Sequence, residues 1–316
     1  MVPSNIDPGE QSRPAIAWRE EALMPSQTPL IPRRRLGQEL RRLRELRGLH
    51  LEDAADHLEC SPSKISRLET GQGVPKARDV RDLLDLYGVG DQRLRDQLLR
   101  LAGDGRRQAW WQDLADVVSS AMDTFISLES EASNIRYYVQ STFPGMFQTE
   151  EYARELFRAI YPRDDDVERE KRVRLRLKRQ DILVEREDQP RIGVIVDEAT
   201  LHRVVGSSAV MADQLAALLQ ASERQGVTLR VYPFAAGPDI AIQCTFVVFT
   251  FESEYDRNSV HIELSAGDRW LEQESDITRY TRIFDDLGRK CLSVEDSRDM
   301  IRSMMEYYSS KEEPPR

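Results

Sequence analysis

The sequence predicts an all-α helix-turn-helix domain followed by a helical linker region and an α/β C-terminal domain, and three observations carry that prediction. Apolar residues recur at helical spacing from Leu36 to Tyr87, interrupted by a tight Glu59-Cys60 turn that leads straight into Ser61-Pro62-Ser63-Lys64-Ile65-Ser66-Arg67, a helix-starting sequence. From Asp166 onward, helical stretches alternate with short runs rich in β-branched and aromatic residues, the pattern of an α/β unit. At 316 residues the chain is long enough for two modest domains, each with its own core.

In chain order, residues 1–32 hold Pro3, Pro8, Pro14, Pro25, Pro29 and Pro32 among few apolar side chains and are expected to form a flexible arm. Residues 33–103 form the helix-turn-helix domain. Leu36, Leu40, Leu43 and Leu46 mark its first helix, which Gly48 ends; Ala54, Ala55 and Leu58 face inward from a short second helix. Ser61 is placed to cap the third helix, with Pro62 at its first position, where no amide hydrogen is missed. Val80, Leu83, Leu84 and Tyr87 define a fourth helix, and Leu94, Leu98, Leu99 and Leu101 a fifth, before a boundary at Gly103-Asp104-Gly105. Residues 108–160 read as a helical connecting and dimerisation region, with one helix from Trp110 to about Tyr138 and another from about Thr149. Residues 161–310 read as an α/β signal- or partner-binding domain. Its expected helices cover roughly 166–186, 209–223, 272–287 and 294–308, and its strands 192–196, 228–232, 245–251 and 259–264. Residues 311–316 form a disordered tail.

Composition narrows the function classes. Net charge is −10, but residues 33–107 carry 17 basic against 13 acidic residues, leaving 28 against 42 for the remainder. A basic unit joined to an acidic body fits nucleic-acid binding by the former, since an anionic surface repels phosphates. No apolar run approaches the ~20 residues that span a bilayer, and the first residues lack the basic-then-apolar order of a signal peptide, so a cytoplasmic protein with no membrane partner is expected. Cys60, Cys244 and Cys291 are scattered and lack metal-ligand spacing, which marks them as reduced, mostly buried thiols. No catalytic set is legible, and no metal or cofactor is expected.

On the third helix, Ile65 and Leu68 point inward while Ser63, Lys64 and Arg67 point outward, as on a helix laid in the major groove of double-stranded DNA. Arg67 is the leading base-contact candidate, because a guanidinium donates two hydrogen bonds to guanine. Lys64 and Ser63 follow, and Ser61 acts first as a cap and second as a phosphate contact. Arg33, Arg34 and Arg35 form a basic run ahead of the first helix, either touching the DNA backbone or remaining a solvated face.

From about Leu36 to Tyr87 these motifs resemble the Xre/Cro-type helix-turn-helix family. Gly48, Leu49, Glu52 and Ala55 follow its second-helix pattern, and Ser61, Ile65, Ser66, Arg67, Glu69 and Gly71 its third. The resemblance implies that Glu69 pairs with Arg44 on the first helix, so that both are scaffold of the DNA-binding domain. The chain departs at His50 and Leu51, where relatives have Ser or Thr and then Gln; Leu51 cannot make that glutamine's phosphate contact. Phe143-Pro144-Gly145-Met146-Phe147-Gln148-Thr149-Glu150-Glu151-Tyr152-Ala153, the run from Val196 to Gly206, Gln214-Leu215 and the run from Val231 to Gly237 resemble the C-terminal domain of WhiJ-like and Scr1-like regulators of actinobacteria. That likeness implies a repressor or antitoxin-like regulator, encoded beside a small partner protein.

Other candidate sites lie in the C-terminal part. Asp197 and Glu198 follow a strand, where a helix cap competes with ligand binding. His202 and His261 read as structural. Phe143, Met146 and Phe147 either pack around the Pro144-Gly145 turn or rim a groove for a ligand or partner; Tyr232, Phe234 and the loop to Asp239 are the first choice for a small-molecule effector cleft. Trp110, Trp111, Phe125 and Leu128 need a covering surface, either this chain's own body or a second copy, and a homodimer would set two reading helices about one DNA turn apart. The leading expectation is a sequence-specific, DNA-binding transcriptional regulator, a dimeric repressor whose C-terminal domain binds a small partner protein or an effector. The alternative is an antitoxin-like protein whose main role is neutralising a small neighbouring protein.

Overall fold

The computed structural model describes residues 30–104, 112–186, 188–239, 244–252, 257–264 and 267–311. Most of the expected arm, Gly105, Trp110, Trp111, the loop beyond Asp239 and the tail from residue 312 lie outside them.

Five helices form the N-terminal domain: α1 (Leu30–Leu46), α2 (Leu51–His57), α3 (Pro62–Glu69), α4 (Ala77–Leu86) and α5 (Gln92–Asp104). Leu36, Leu40, Ala54, Ala55, Ile65, Leu68, Val80, Leu83, Leu84, Tyr87 and Leu98 meet in one core, each from the helical position its periodicity assigns. The first helix begins at Leu30, earlier than the arm reading of residues 1–32 allows. Pro32 sits in its first turn, where amide hydrogens have no intrahelical partner, so a proline there costs little. Two glycines set how closely the helices approach. A β-carbon on Gly37 would stand 2.6 Å from the Glu69 carbonyl oxygen and closer still to that of Leu68, so α1 crosses α3 at backbone contact. Gly71, at φ +76°, ends α3 against the chain at Arg34. Gly37→Ala is therefore expected to lower this domain's stability by about 1–3 kcal/mol through overpacking. Gly103→Ala, where a β-carbon meets open space, should be neutral or stabilising by about 0.5–1 kcal/mol; chemical denaturation of the two variants checks both.

The body is a three-layer α/β/α unit around a mixed six-stranded sheet. Its elements are α6 (Ser120–Glu131), β1 (Asn134–Val139), α7 (Glu150–Ile160), α8 (Asp166–Glu185), β2 (Arg191–Asp197), α9 (Glu198–His202), α10 (Ser208–Ser222), β3 (Val227–Tyr232), β4 (Phe246–Thr250), β5 (Ser259–Ile262), β6 (Arg269–Leu271), α11 (Glu274–Lys290) and α12 (Val294–Ser309). Strand order is β3-β2-β1-β4-β5-β6; β1, β2 and β3 run parallel, and β4, β5 and β6 pair antiparallel. Side chains alternate across the sheet. Ile135, Tyr137, Val139, Val194, Val196, Leu229, Val231, Val247 and Phe249 face α6, α7, α8, α10 and α12. Tyr138, Ile195, Tyr232, Phe246, Val248 and Val260 face α11.

The region 108–160 departs from its reading as a helical connector. Residues 134–139, read as the end of a long helix, form β1 at the centre of the sheet, registered as Ile135↔Ile192 and Tyr137↔Val247. The helix stops at Glu131, and Ser133 hands its carbonyl to the Arg191 amide of the neighbouring strand. Phe125 and Leu128, expected to help dimerise the protein, are covered by this chain's own core. The three cysteines are free and half-buried, and burial pushes the Cys291 thiol up to about 12.

Candidate nucleic-acid interface

The Ser61 Oγ accepts the Lys64 amide at 3.3 Å and starts α3 over Pro62, which has no amide hydrogen to leave unpaired. A helix N-terminus of this kind favours an anion such as phosphate. Before it, Glu59 takes φ 48°, the single non-glycine residue with positive φ among those described, and the Cys60 amide reaches back to Ala55 at 2.9 Å. That compact turn sets α3 across α2. Ser61, Ser63 and Arg67 are exposed on one side of α3, while Ile65, Leu68 and Glu69 are buried on the other.

Arg44 and Glu69 hold α3 in place. Nε and Nη2 of Arg44 donate to the two carboxylate oxygens of Glu69 at 2.7 and 2.8 Å, and Nη1 donates to the Leu49 carbonyl at 2.8 Å. The pair is buried, and the hydrogen bond to Glu69 raises the Arg44 pKa. One fork thereby joins α1, the start of α2 and the end of α3.

Lys64 is only partly free. Its Nζ lies 2.6 Å from Asp79 Oδ2, which brings the first turn of α4 beside that of α3. Lys76 and Arg78, on the same turn of α4, are exposed there and extend the basic surface; the Lys76-Ala77-Arg78 run after a proline was the signal available for them. Asp79→Asn is expected to release Lys64, raising affinity for any duplex and steepening the salt dependence by about one phosphate contact. Loss of this half-exposed pair should cost no more than about 1 kcal/mol of stability. Duplex titrations over a range of salt concentrations check the first effect, and thermal melting the second.

Arg33, Arg34 and Arg35 do not form a solvated basic face; they dock on the acidic body. Arg33 is 4% exposed and lies near Asp123, with burial lowering its pKa and Asp123 opposing that fall. Arg34 Nη1 sits 2.7 Å from Glu272 Oε1, and Arg35 Nη2 3.7 Å from Glu131 Oε2. Gly71 ties Arg34 to the C-terminal end of α3, so the body docks at the end opposite Ser61 and Ser63. The three arginines, read from the sequence as DNA-backbone contacts or a solvated face, thus join domain to body through carboxylates of the same chain.

The two candidate sites in the C-terminal part stand apart, on opposite faces of the sheet. Phe143, Met146 and Phe147 are buried in the core under α7 and α10, with the Phe143 ring 5.4 Å from that of Tyr152. Tyr232 lies on the opposite face of the sheet and donates to the Gly237 carbonyl at 2.8 Å. Phe234 is exposed and stacks on His202 at 5.7 Å, and Asp239 pairs with Lys290 at 2.5 Å. Asp197 caps α9 by accepting the Ala199 amide at 2.9 Å, and Glu198 accepts the Phe234 amide at 2.6 Å. His261 is enclosed by Phe125 and Trp270, with Nε2 3.2 Å from Asp268 Oδ2. Among the described residues no group of His, Cys, Asp and Glu side chains is gathered as a metal site, and no helix is long and apolar enough to cross a membrane.

Two family models match the chain. A helix-turn-helix domain model covers residues 35–98, the segment that carries α2, α3 and α4, and this is the domain of a DNA-binding regulator. A second model, described as a domain of unknown function (DUF5753), covers residues 122–303, more than half of the chain and nearly all of the α/β body. No curated protein and no solved structure matches the chain. With that much of its length accounted for, the chain belongs to the DUF5753 family and carries a helix-turn-helix domain ahead of the domain that defines it.

Proposed function

We propose that the protein is a sequence-specific transcriptional repressor of the Xre/Cro type that reads its operator with α3. The observation that carries this reading is the exposed Ser63 and Arg67 pair, with Lys64 beside it, on a helix fixed by the Arg44–Glu69 fork. Arg67 has no carboxylate partner among the described residues, so its guanidinium is available for a guanine edge. Ser61, Lys76 and Arg78 supply phosphate contacts that set register and orientation.

A reading helix of eight residues spans few base pairs. Two copies related by a two-fold axis supply the rest of a specific site, which supports action as a homodimer on a partial palindrome. The reading unit is residues 33–103, and the body that follows receives the signal. An acidic body suits a small basic partner protein, and the likeness to WhiJ-like and Scr1-like regulators supports such a partner or an effector. The same charge favours the antitoxin-like alternative, in which neutralising the partner is the main role.

Selection from a pool of random duplexes tests the reading. The expected product is one motif with half-sites centred about 10 base pairs apart or a multiple of that spacing. Enrichment of a single half-site would exclude the dimer, and no enrichment would overturn specific reading.

A further inference from the structure

On the face of the sheet that α8 and α10 cover, a concavity of about 280 Å³ opens at the amino ends of β2 and β3. That size is near the lower end of small-molecule pockets, ~300–1,000 Å³. Met146, Phe147, Leu183 and Ile192 line its apolar part, and Arg224 stands at its rim. Arg224 is exposed, has no carboxylate partner among the described residues, and is the one cationic side chain in the lining. An apolar floor with a single free guanidinium suits a ligand that is apolar at one end and anionic at the other.

The wall of this pocket leads back to the DNA-reading domain. The Gln180 amide, on α8 one turn before Leu183 and Val184, donates to the carbonyls of Gly145 and Gln148 at 2.7 and 2.8 Å. It holds the Met146-Phe147 segment against α8. One residue earlier, Arg179 Nε donates to Glu129 Oε2 on α6 at 2.9 Å, and Tyr137 donates to the other Glu129 oxygen at 2.7 Å. The same α6 bears Asp123 and Glu131, the residues that meet Arg33 and Arg35 of α1. Pocket, α8, α6 and α1 are thus joined by a series of polar contacts, of which Arg179–Glu129 and the approach of Arg33 to Asp123 are buried.

We propose that this pocket is the effector site of the protein, binding a small amphiphilic anion such as a carboxylate on a short apolar chain, and that its occupancy is transmitted through α8 and α6 to α1. The transmission rests on the regulator reading above; the binding does not.

Isothermal titration of the full chain with octanoate, beside 1-octanol as the uncharged control, separates the two. Saturable octanoate binding is expected, weakened about tenfold or more by Arg224→Glu, with octanol indifferent to that change. Val184→Glu, half-exposed at the same rim, should weaken octanoate as well. Absent octanoate binding, or binding unmoved by both variants, would overturn the site. Octanoate is then added to the wild-type chain and to Arg224→Glu during titration with the selected duplex. A change in duplex affinity confined to the wild type is expected, and by linkage the same factor should appear in octanoate affinity with duplex bound. Unchanged duplex affinity with octanoate bound would overturn the transmission. If no duplex is bound at all, the regulator reading fails while the octanoate titration still decides the site.

Discussion

Glu69→Ala is expected to cost the N-terminal domain about 3–5 kcal/mol, because it strands a buried guanidinium. Arg44 would lose both carboxylate oxygens at 2.7 and 2.8 Å and keep its bond to the Leu49 carbonyl and a distant approach, 3.9 Å, to the exposed Glu45. The phenol of Tyr87, buried next to the pair without a hydrogen-bond partner, offers no replacement, since its acidity is already suppressed by that burial. A domain of this size has about 5–15 kcal/mol of stability in total, so the variant should melt residues 30–104 well before the body. Hydrogen exchange resolved by segment would show α1, α2 and α3 losing protection while β1 and β2 keep theirs. The double variant Arg44→Met with Glu69→Leu should recover much of the loss, because an apolar pair leaves no unpaired charge. Equal loss in the single and double variants would mean that the fork contributes little beyond its volume.

Glu129→Ala is expected to be comparably damaging to the body. Glu129 and Arg179 are both buried, and Glu129 also accepts the Tyr137 hydroxyl. Removing the carboxylate leaves a cation and a phenol in the core, at a cost of about 3–5 kcal/mol. Burial already holds the Tyr137 pKa well above its usual value, and Arg179 is otherwise supported by the Phe125 ring at 5.0 Å and the Met122 sulfur at 3.6 Å. Arg179→Ala leaves Glu129 with only the tyrosine and should destabilise to a similar extent. What distinguishes this pair from Arg44–Glu69 is its reach: α6 carries the carboxylates that hold Arg33 and Arg35, so loosening Glu129 should also raise amide exchange at the start of α1. Protection of α1 unchanged while α6 opens would show the two domains to be energetically separate.

The features that the sequence made legible are the ones set by local chemistry. Ser61-Pro62 starts α3 where a capping serine and a first-turn proline require it, and Ile65 and Leu68 fall inward at helical spacing. The exposed face of Ser63 and Arg67 follows from those two facts. Residues 134–139 were harder to read, because β1 is central and buried on both faces: Ile135, Tyr137, Tyr138 and Val139 form a nearly continuous apolar run, which periodicity does not distinguish from the end of a helix. Strand parity is why the two C-terminal candidate sites stand apart. Val231 faces the core that holds Phe147, and Tyr232, the next residue, necessarily faces the opposite side. Arg33, Arg34 and Arg35 are a basic run in any reading, but whether they meet phosphate or carboxylate depends on Asp123, Glu131 and Glu272, far along the chain. Only the three-dimensional arrangement brings them together.

Operator reading by α3 is tested most directly by fluorescence anisotropy of the full chain on the DNA upstream of its own gene, beside a scrambled duplex and an Arg67→Ala variant, over several salt concentrations. The expected result is a preference for the upstream duplex that Arg67→Ala reduces by about 1–3 kcal/mol, with the salt slope nearly unchanged because a base contact rather than a phosphate contact is lost. Equal affinity for both duplexes, or a preference that survives Arg67→Ala intact, would contradict the assignment of α3 as the reading helix.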